Sequence, residues 1–245
     1  MQKKIVSKIV KPTINQIAKY IPGESLINGK SDVIKLSSNE SPFKVPTKVS
    51  AIFERLVSEF NLYPDGDSNI LKKSLSKNFK INFSQIICGN GSDDILSLIA
   101  QAFSDGNSEI ICSQYGFIYY PIVAKISGAK VLTAKTDGLN ISCKNILSLI
   151  TKKTKIIFFA NPNNPTGTII LRDELIKFIS NVPKNVIIVI DGAYSEFVTN
   201  KNYSNGLDLV KKFPNIIVTR TFSKIYALAG LRLGWAYSSK SIIEI

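Results

Sequence analysis

The chain has 245 residues, 44% of them hydrophobic and 20% charged, and its 31 basic residues against 18 acidic ones give a formal net charge of +13. A chain of this length and composition can bury a sizeable core as a globular protein. The absence of histidine excludes nucleophile systems and zinc sites that depend on imidazole. Three widely spaced cysteines favour neither a disulfide framework nor a Cys-x-x-Cys site, so no metal is predicted.

The positive charge is spread over the chain as single lysines and lysine pairs, without a long basic run or interleaved aromatic residues. This distribution favours a solvated surface over a nucleic-acid interface, which would require salt-sensitive binding to DNA or RNA. The longest apolar runs, such as residues 186–190, are too short to cross a bilayer, and the first residues do not form a secretory signal. We predict a cytoplasmic protein without a membrane or nucleic-acid partner.

The first 32 residues are basic and interrupted by prolines, and they predict an N-terminal arm, 1–32, with a short helix over residues 14–20. The remainder, 33–245, is predicted to form one large domain. Near its start, Thr47 is suited to cap a helix whose apolar residues recur at helical spacing as far as Phe60. We expect this apolar stripe to dock on a sheet.

From about residue 85 the chain alternates between strand and helix patterns. The predicted strands are residues 85–88, 109–112, 155–160, 186–190 and 216–219, and the predicted helices are residues 92–103, 118–126 and 173–180. The strands are continuous runs of Ile, Val and Phe, as is typical of strands covered on both faces. The pattern predicts an α/β fold, a three-layer sandwich with a mostly parallel central sheet.

Polar motifs follow the first and third of these strands, where ligands bind in open α/β sheets. Residues 89–94, Gly-Asn-Gly-Ser-Asp-Asp, offer backbone N–H groups and a positive helix end to a phosphate. The alternative is a turn in which Ser92 caps the helix. Residues 161–167 form a rigid turn that can direct the Asn164 amide toward a ring oxygen, although the same sequence also suits a simple proline-rich turn.

The last two predicted strands end in charged residues. Asp191 ends a buried strand, where a carboxylate needs a partner such as a protonated pyridine nitrogen, and Tyr194 is near enough to reach the same ring oxygen as Asn164. After the final strand, Lys224 lies among hydroxyl and apolar residues, and Arg232 follows eight residues later. An amine suited to imine formation and a guanidinium that can grip a phosphate together indicate pyridoxal phosphate.

These motifs, together with residues 20–23, 36–42, 63–66 and 221–234, closely resemble those of the histidinol-phosphate aminotransferases. That family belongs to the fold type I pyridoxal phosphate enzymes. The resemblance implies a homodimer with shared active sites that transfers an amino group between histidinol phosphate and 2-oxoglutarate in histidine biosynthesis. The alternatives are an aromatic aminotransferase, a threonine-phosphate decarboxylase, or an inactive fragment that binds the cofactor at best.

Carried over to this sequence, the resemblance gives each motif a role. Lys224 would form the imine with the cofactor, and Asp191 would pair with the pyridine nitrogen. Asn164 and Tyr194 would contact the ring oxygen, and Tyr115 would stack on the ring. The residues that would hold the phosphate are Gly91, Ser92, Asp93, Thr221, Ser223 and Arg232.

Three further residues are assigned by the same resemblance. Tyr63 would reach the phosphate bound by the neighbouring subunit, and Tyr20 and Asn39 would lie near the substrate. The chain departs from the family pattern at Gly192, where the usual residue is Glu, and at Ser41, where it is Asn. Because the family continues into a small C-terminal domain that carries substrate-binding arginines, we expect this chain to be a truncated large domain, whose activity alone is an open question.

Overall fold

The computed structural model describes residues 9–18, residue 28 and residues 33–245. Most of the predicted N-terminal arm therefore lies outside the described residues, and so does Tyr20. The described part of the arm contains a single 3-10 turn, Ile14–Gln16, at the start of the predicted short helix.

The described residues form seven strands and seven α-helices. The strands are β1 Ile86–Gly89, β2 Glu109–Ser113, β3 Lys130–Ala134, β4 Thr154–Ala160, β5 Ile187–Asp191, β6 Ile216–Thr221 and β7 Gly234–Tyr237. The helices are α1 Thr47–Leu56, α2 Asn69–Phe79, α3 Ser92–Phe103, α4 Tyr119–Ser127, α5 Cys143–Ser148, α6 Arg172–Asn181 and α7 Lys240–Ile243. None of these helices has the length and apolar character needed to span a membrane.

All seven strands belong to one sheet, in the order β1-β7-β6-β5-β4-β2-β3. Strand β7 runs antiparallel to both of its neighbours, while the pairs β6-β5, β5-β4, β4-β2 and β2-β3 are parallel. Parallel neighbours need crossover connections. Helix α4 lies in the connection from β2 to β3 and α6 in that from β4 to β5, whereas the connection from β5 to β6 contains only two 3-10 turns, Ser195–Phe197 and Leu207–Leu209. The predicted mostly parallel sheet is confirmed, and the carboxyl ends of β4, β5 and β6 lie side by side.

Helices cover both faces of the sheet. On one face the core combines strand residues such as Phe158 with α3 and α4, and on the other it combines Phe159 and its neighbours with α2, α5 and α6. Strands β2 and β6 are buried along their whole length. Each large apolar side chain buried in this way contributes about 1.5–3 kcal/mol of transfer free energy. The predicted three-layer sandwich is confirmed.

The first helix differs from its prediction. Helix α1 begins directly after Pro46, so Thr47 is its first residue and not its cap, and the helix contains no buried residue. Val57 and Phe60, which follow it, are 58% and 68% exposed. The prediction that this apolar stripe docks on the sheet is therefore wrong for the chain described here, because the helices of residues 69–181 already cover both faces.

Candidate active site

A cavity of about 360 Å³ opens at the carboxyl ends of the central strands. Strand ends, the first turn of α3 and the loop after β6 all contribute to its wall. Its lining includes the predicted residues Ser92, Asp93, Asn164, Asp191, Tyr194, Thr221, Ser223, Lys224 and Arg232. Residues that lie more than 130 positions apart in the sequence are thus brought to one edge of the sheet.

Asp191, the last residue of β5, is only 4% exposed at the floor of this cavity. Its carboxylate accepts hydrogen bonds from Tyr120 Oη at 2.9 Å, from the Ala193 backbone N–H at 3.2 Å and from Thr219 Oγ1 at 3.3 Å. Burial raises the pKa of this carboxyl to about 6, and the hydrogen bonds oppose that rise. No described residue forms an ion pair with it, so the site offers a buried anion to a cationic ligand.

A cradle of polar groups lies across the cavity, at the start of α3. Gly91 is the N-cap of this helix and Ser92 is its first helical residue, so the alternative in which Ser92 caps the helix is not supported. Thr221 Oγ1 donates to Ser223 Oγ at 3.0 Å, and Arg232 Nη1 donates to the same oxygen at 3.3 Å. Two hydroxyls, a guanidinium and the positive end of a helix suit an anion with several oxygens.

Two glycines let this cradle close. A Cβ on Gly91, which has a φ of 86°, would lie 2.3 Å from Arg232 Nη2. A Cβ on Gly234 would lie 2.5 Å from the backbone carbon of Gly91 and 2.5 Å from the backbone nitrogen of Ser92. Only glycine permits such close approach, so β7 and the arginine define the position of the turn before α3.

Asp93 adds a carboxylate to the rim of the cradle. Its Oδ2 lies 3.6 Å from Arg232 Nη2. Burial raises its pKa, while the charges of Arg232 and Lys224 act in the opposite direction. Its side chain therefore balances part of the positive charge of the cradle.

Lys224 extends toward the cavity from the loop after β6. Its Nζ donates to the backbone carbonyls of Ser38 at 3.2 Å and Asn39 at 3.3 Å, and it lies 5.5 Å from the centre of the Tyr194 ring. Asn39, at a φ of 51°, donates through Nδ2 to Tyr194 Oη at 3.0 Å. The segment of Ser38 and Asn39 thus links the lysine and the tyrosine and lies beside the cavity.

The turn that carries Asn164 is fixed by its own side chains. Asn161 makes two hydrogen bonds with the backbone of Ile170, at 3.1 and 2.9 Å, and Asn163 donates to the Tyr115 carbonyl at 2.9 Å. Asn164 and Tyr194 both lie between the first cavity and a second one of about 470 Å³. They therefore form the wall that the two cavities share.

Of the predicted aromatic residues that the structure describes, Tyr115 and Tyr63 do not line this cavity. Tyr115 is 44% exposed and lines a separate cavity beside Cys112, whereas Phe117 lines the active-site cavity. Tyr63 is fully exposed on the surface of the chain. Tyr20 lies outside the described residues.

Sequence reasoning missed Phe117, Tyr120 and Thr219. Phe117 lies in the loop two residues before α4, and Tyr120 is the second residue of that helix. Thr219 alternates with Thr221 along β6, so both project toward the same face of the sheet. These residues are visible in the sequence, but the Asp191 carboxylate to which Tyr120 donates is 71 positions away.

A buried ion pair supports the site from behind. Arg220 lies over the adjacent rings of Phe79 and Trp235, 5.4 and 5.8 Å from their centres, and pairs with Glu196. Tyr226 Oη also donates to that glutamate, at 3.4 Å. The pair joins the segment after Asp191 to the segment that carries Lys224.

Comparison with known proteins gives one family and a consistent set of relatives. The profile of the family "Aminotransferase class I and II" matches residues 31–245. Among curated proteins, the chain is 46% identical over 229 residues to "Histidinol-phosphate aminotransferase" of Pelagibacter ubique, covering 94% of this chain and 64% of that protein. It is 40% identical to the protein of the same name from Paramagnetospirillum magneticum, covering 96% of this chain and 65% of that protein.

A solved structure supports the fold. The structure described as "histidinol-phosphate aminotransferase from Sinorhizobium meliloti in complex with pyridoxal-5'-phosphate" matches with a TM-score of 0.80 at 24% identity, over 84% of this chain and 56% of that one. The present chain therefore spans a little under two thirds of the length of the curated relatives it matches.

Proposed function

The chain belongs to the class I and II aminotransferases, and from that premise we propose that this protein transfers an amino group between histidinol phosphate and 2-oxoglutarate, using pyridoxal phosphate. The choice of amino donor is supported by the names of the curated relatives, which are histidinol-phosphate aminotransferases. The observation that carries the proposal is the buried, unpaired Asp191 carboxylate in one cavity with Lys224. The cytoplasmic location stays a prediction.

The cavity fits the cofactor. A buried carboxylate without a cationic partner among the described residues suits the protonated ring nitrogen of a pyridine. The ring would lie between Asp191 and Lys224, with Phe117 as the aromatic side chain of the cavity and Asn164 and Tyr194 near its oxygen. The residues that would hold the phosphate are Gly91, Ser92, Asp93, Thr221, Ser223 and Arg232.

Lys224 would do the proton transfer. Pyridoxal phosphate, when bound, supplies an electron sink for negative charge at the carbon that carries the transferred nitrogen. Lys224 Nζ, as a free amine, would take the proton from that carbon of the substrate. Its hydrogen bonds to the Ser38 and Asn39 carbonyls keep it at the mouth of the cavity. Asp191 would hold the ring nitrogen in its protonated form.

We also propose that the protein acts as a homodimer with shared active sites. Tyr63 is fully exposed, and α1 exposes apolar side chains. Exposed apolar surface of this kind is typical of protein interfaces. In the proposed dimer Tyr63 would contact the phosphate bound by the partner subunit.

The proposal is tested by trapping the cofactor. Borohydride reduction of the protein incubated with pyridoxal phosphate should leave a pyridoxyl group on the peptide that contains Lys224, and Lys224→Arg should abolish that adduct. Lys211→Arg, which changes an exposed lysine that does not line the cavity, serves as the control. No adduct on the Lys224 peptide of the unmodified chain would refute the assignment.

The amino donor is tested separately. Turnover with histidinol phosphate should exceed turnover with phenylalanine or threonine phosphate, each with 2-oxoglutarate as acceptor. A preference for phenylalanine would indicate an aromatic aminotransferase. Release of carbon dioxide from threonine phosphate would indicate the decarboxylase.

A further inference from the structure

We propose that Tyr120 is a positioning residue for the proposed reaction, whose hydroxyl holds the Asp191 carboxylate ionised and aimed at the ring nitrogen of the cofactor. The inference rests on the proposed function, because it takes Asp191 as the partner of that nitrogen. It assigns a role to a buried hydroxyl that does not itself line the cavity.

The geometry leaves the Tyr120 hydroxyl little freedom. Tyr120 has no exposed surface, its ring stacks on Phe158 at 5.4 Å with an interplanar angle of 8°, and its edge meets Phe117 at 5.7 Å. Its hydroxyl lies 2.9 Å from Asp191 Oδ2. Because an ionised carboxylate only accepts hydrogen bonds, the tyrosine is the donor. The tightly packed ring therefore holds one oxygen of the Asp191 carboxylate in a fixed orientation.

The charge balance around Asp191 depends on this donor. Burial is the largest influence on the pKa of Asp191 and raises it, the charge of Asp93 raises it further, and the Tyr120 hydrogen bond is the largest influence that lowers it. The charge of Cys112, in β2, raises the pKa of Tyr120, and the charge of Asp191 raises the pKa of Tyr203. No cation is among the main influences on Asp191. The hydroxyls of Tyr120 and Thr219 and the Ala193 N–H replace a counter-ion.

Phe117 gives the tyrosine a second link to the site. Phe117 lines the cavity, where it would face the cofactor, and its ring meets Tyr120 edge to face at 87°. Tyr120 therefore contacts both the aromatic wall and the buried acid. Removal of its hydroxyl alone, as in Tyr120→Phe, keeps these ring contacts and isolates the hydrogen bond.

The experiment compares Tyr120→Phe with Tyr119→Phe as matched control. Tyr119 is the adjacent residue of α4, and its hydroxyl pairs with Ser97 at 2.8 Å instead of with Asp191. The dissociation constant of pyridoxal phosphate is measured by absorbance for both variants and the unmodified chain at several pH values. Ionisation of the free cofactor is common to all three proteins, so it cancels from the ratio of their constants.

We expect Tyr120→Phe to bind pyridoxal phosphate roughly tenfold more weakly near pH 6.5, since a hydrogen bond to a charged group is lost. The deficit should shrink as pH rises, because the variant needs a higher pH to ionise Asp191. Thr219→Val should weaken cofactor binding with the same pH dependence but by a smaller factor. Thr219→Ser, which keeps the hydroxyl, should not weaken it in this way. Tyr119→Phe should leave the constant unchanged at every pH.

The outcomes separate the inference from the proposed function. If the unmodified chain forms no pyridoxyl adduct, the proposed function itself fails. If it does, and the Tyr120→Phe deficit is absent or independent of pH, the positioning role is refuted while the function stands. If Tyr120→Phe only lowers the melting temperature and leaves cofactor affinity intact, the hydroxyl is structural and the inference is likewise refuted.

Discussion

Asp191 meets two opposing demands in one side chain. Its position would let it bind a cationic ring, yet burial makes its negative charge costly while no cation is present. The pKa of about 6 in the folded chain lies above the ordinary aspartate pKa of 3.8. The folded chain therefore binds this proton more tightly than the unfolded chain does, and stability falls as pH rises through this range.

We predict that Asp191→Asn stabilises the cofactor-free protein at neutral pH. The amide removes the buried charge, and a shift of this size corresponds to about 3 kcal/mol in the free energy of unfolding, acquired between about pH 4 and pH 6. Urea unfolding at several pH values measures this difference. Below about pH 4 the two proteins should converge, since the aspartate is then neutral in both states.

A surface aspartate provides the control for that prediction. Hydrogen bonds from Ser108 and Asn107 lower the pKa of the exposed Asp105 carboxyl, so its contribution has the opposite sign and is lost as pH falls. Asp105→Asn should therefore weaken the protein at neutral pH, whereas Asp191→Asn strengthens it. Parallel stability curves for Asp191→Asn and the unmodified chain would contradict the burial argument.

At the scale of elements, the sequence predicted the strands and the helix whose apolar residues form a clear local pattern. The continuous apolar strands that became β2, β4, β5 and β6, and helix α3, were found within one or two residues of their ends. Strand β3 is exposed or half-buried at all positions but its last, and β7 is four residues that start with Gly234, so both lack the buried apolar run that identifies a central strand. β3 is an edge strand that pairs with the preceding strand β2, whereas β7 is placed by its pairing with β6 and with the distant β1.

The site followed the same division. Residues at or shortly after strand ends, such as Asp191 and Lys224, were predicted because the carboxyl ends of parallel strands share one edge of the sheet. Tyr120 was not predicted, because its link to the site is a hydrogen bond across the core to Asp191. Phe117 rather than Tyr115 lines the cavity, since the loop between β2 and α4 decides which aromatic side chain turns inward.

We predict that Gly234→Ala impairs the cradle more than the fold. The new methyl group would meet the backbone of Gly91 and Ser92 at 2.5 Å, and backbone atoms cannot rotate away as a side-chain end can. Overpacking of this kind costs about 1–3 kcal/mol. Because the displaced atoms include the first N–H of α3, pyridoxal phosphate affinity should fall by roughly tenfold or more.

Cofactor titration and thermal unfolding measure the two effects of that substitution. Gly106→Ala makes the same chemical change in the loop before β2, at the opposite end of the sheet, where a Cβ has no atom within 4 Å. It should leave cofactor affinity unchanged. Equal affinities for Gly234→Ala and the unmodified chain would show that the turn before α3 can move without loss of the cradle.

On the scale of the whole molecule, the apolar surface is distributed unevenly. The central sheet is covered on both faces, whereas residues 34–70 expose large side chains, among them Ile34, Leu36, Phe43, Phe60, Leu62 and Ile70. Exposed apolar side chains of this kind are typical of protein interfaces. Tyr63 lies in the same segment, so in the proposed dimer this segment would also carry the residue predicted to reach the partner's active site.

Subunit mixing tests this arrangement. Lys224→Ala removes the amine, and Tyr63→Ala removes the side chain that would reach the partner's phosphate, so we predict that each variant alone fails to fix pyridoxal phosphate when the cofactor is limiting. In a hybrid dimer, one of the two sites has Lys224 from one subunit and Tyr63 from the other. Random exchange in a symmetric dimer should therefore restore about a quarter of the sites.

Borohydride trapping of the mixed variants, followed by mass spectrometry of the Lys224 peptide, counts the restored sites without reference to turnover. The adduct should form only on the subunit that carries Tyr63→Ala, because that subunit retains the lysine. A mixture of Lys224→Ala with a Lys224→Ala, Tyr63→Ala double variant is the control and should give no adduct. Because a monomeric site cannot be completed by another subunit, failure to gain adduct on mixing, with subunit exchange verified, would place Tyr63 outside the partner's site.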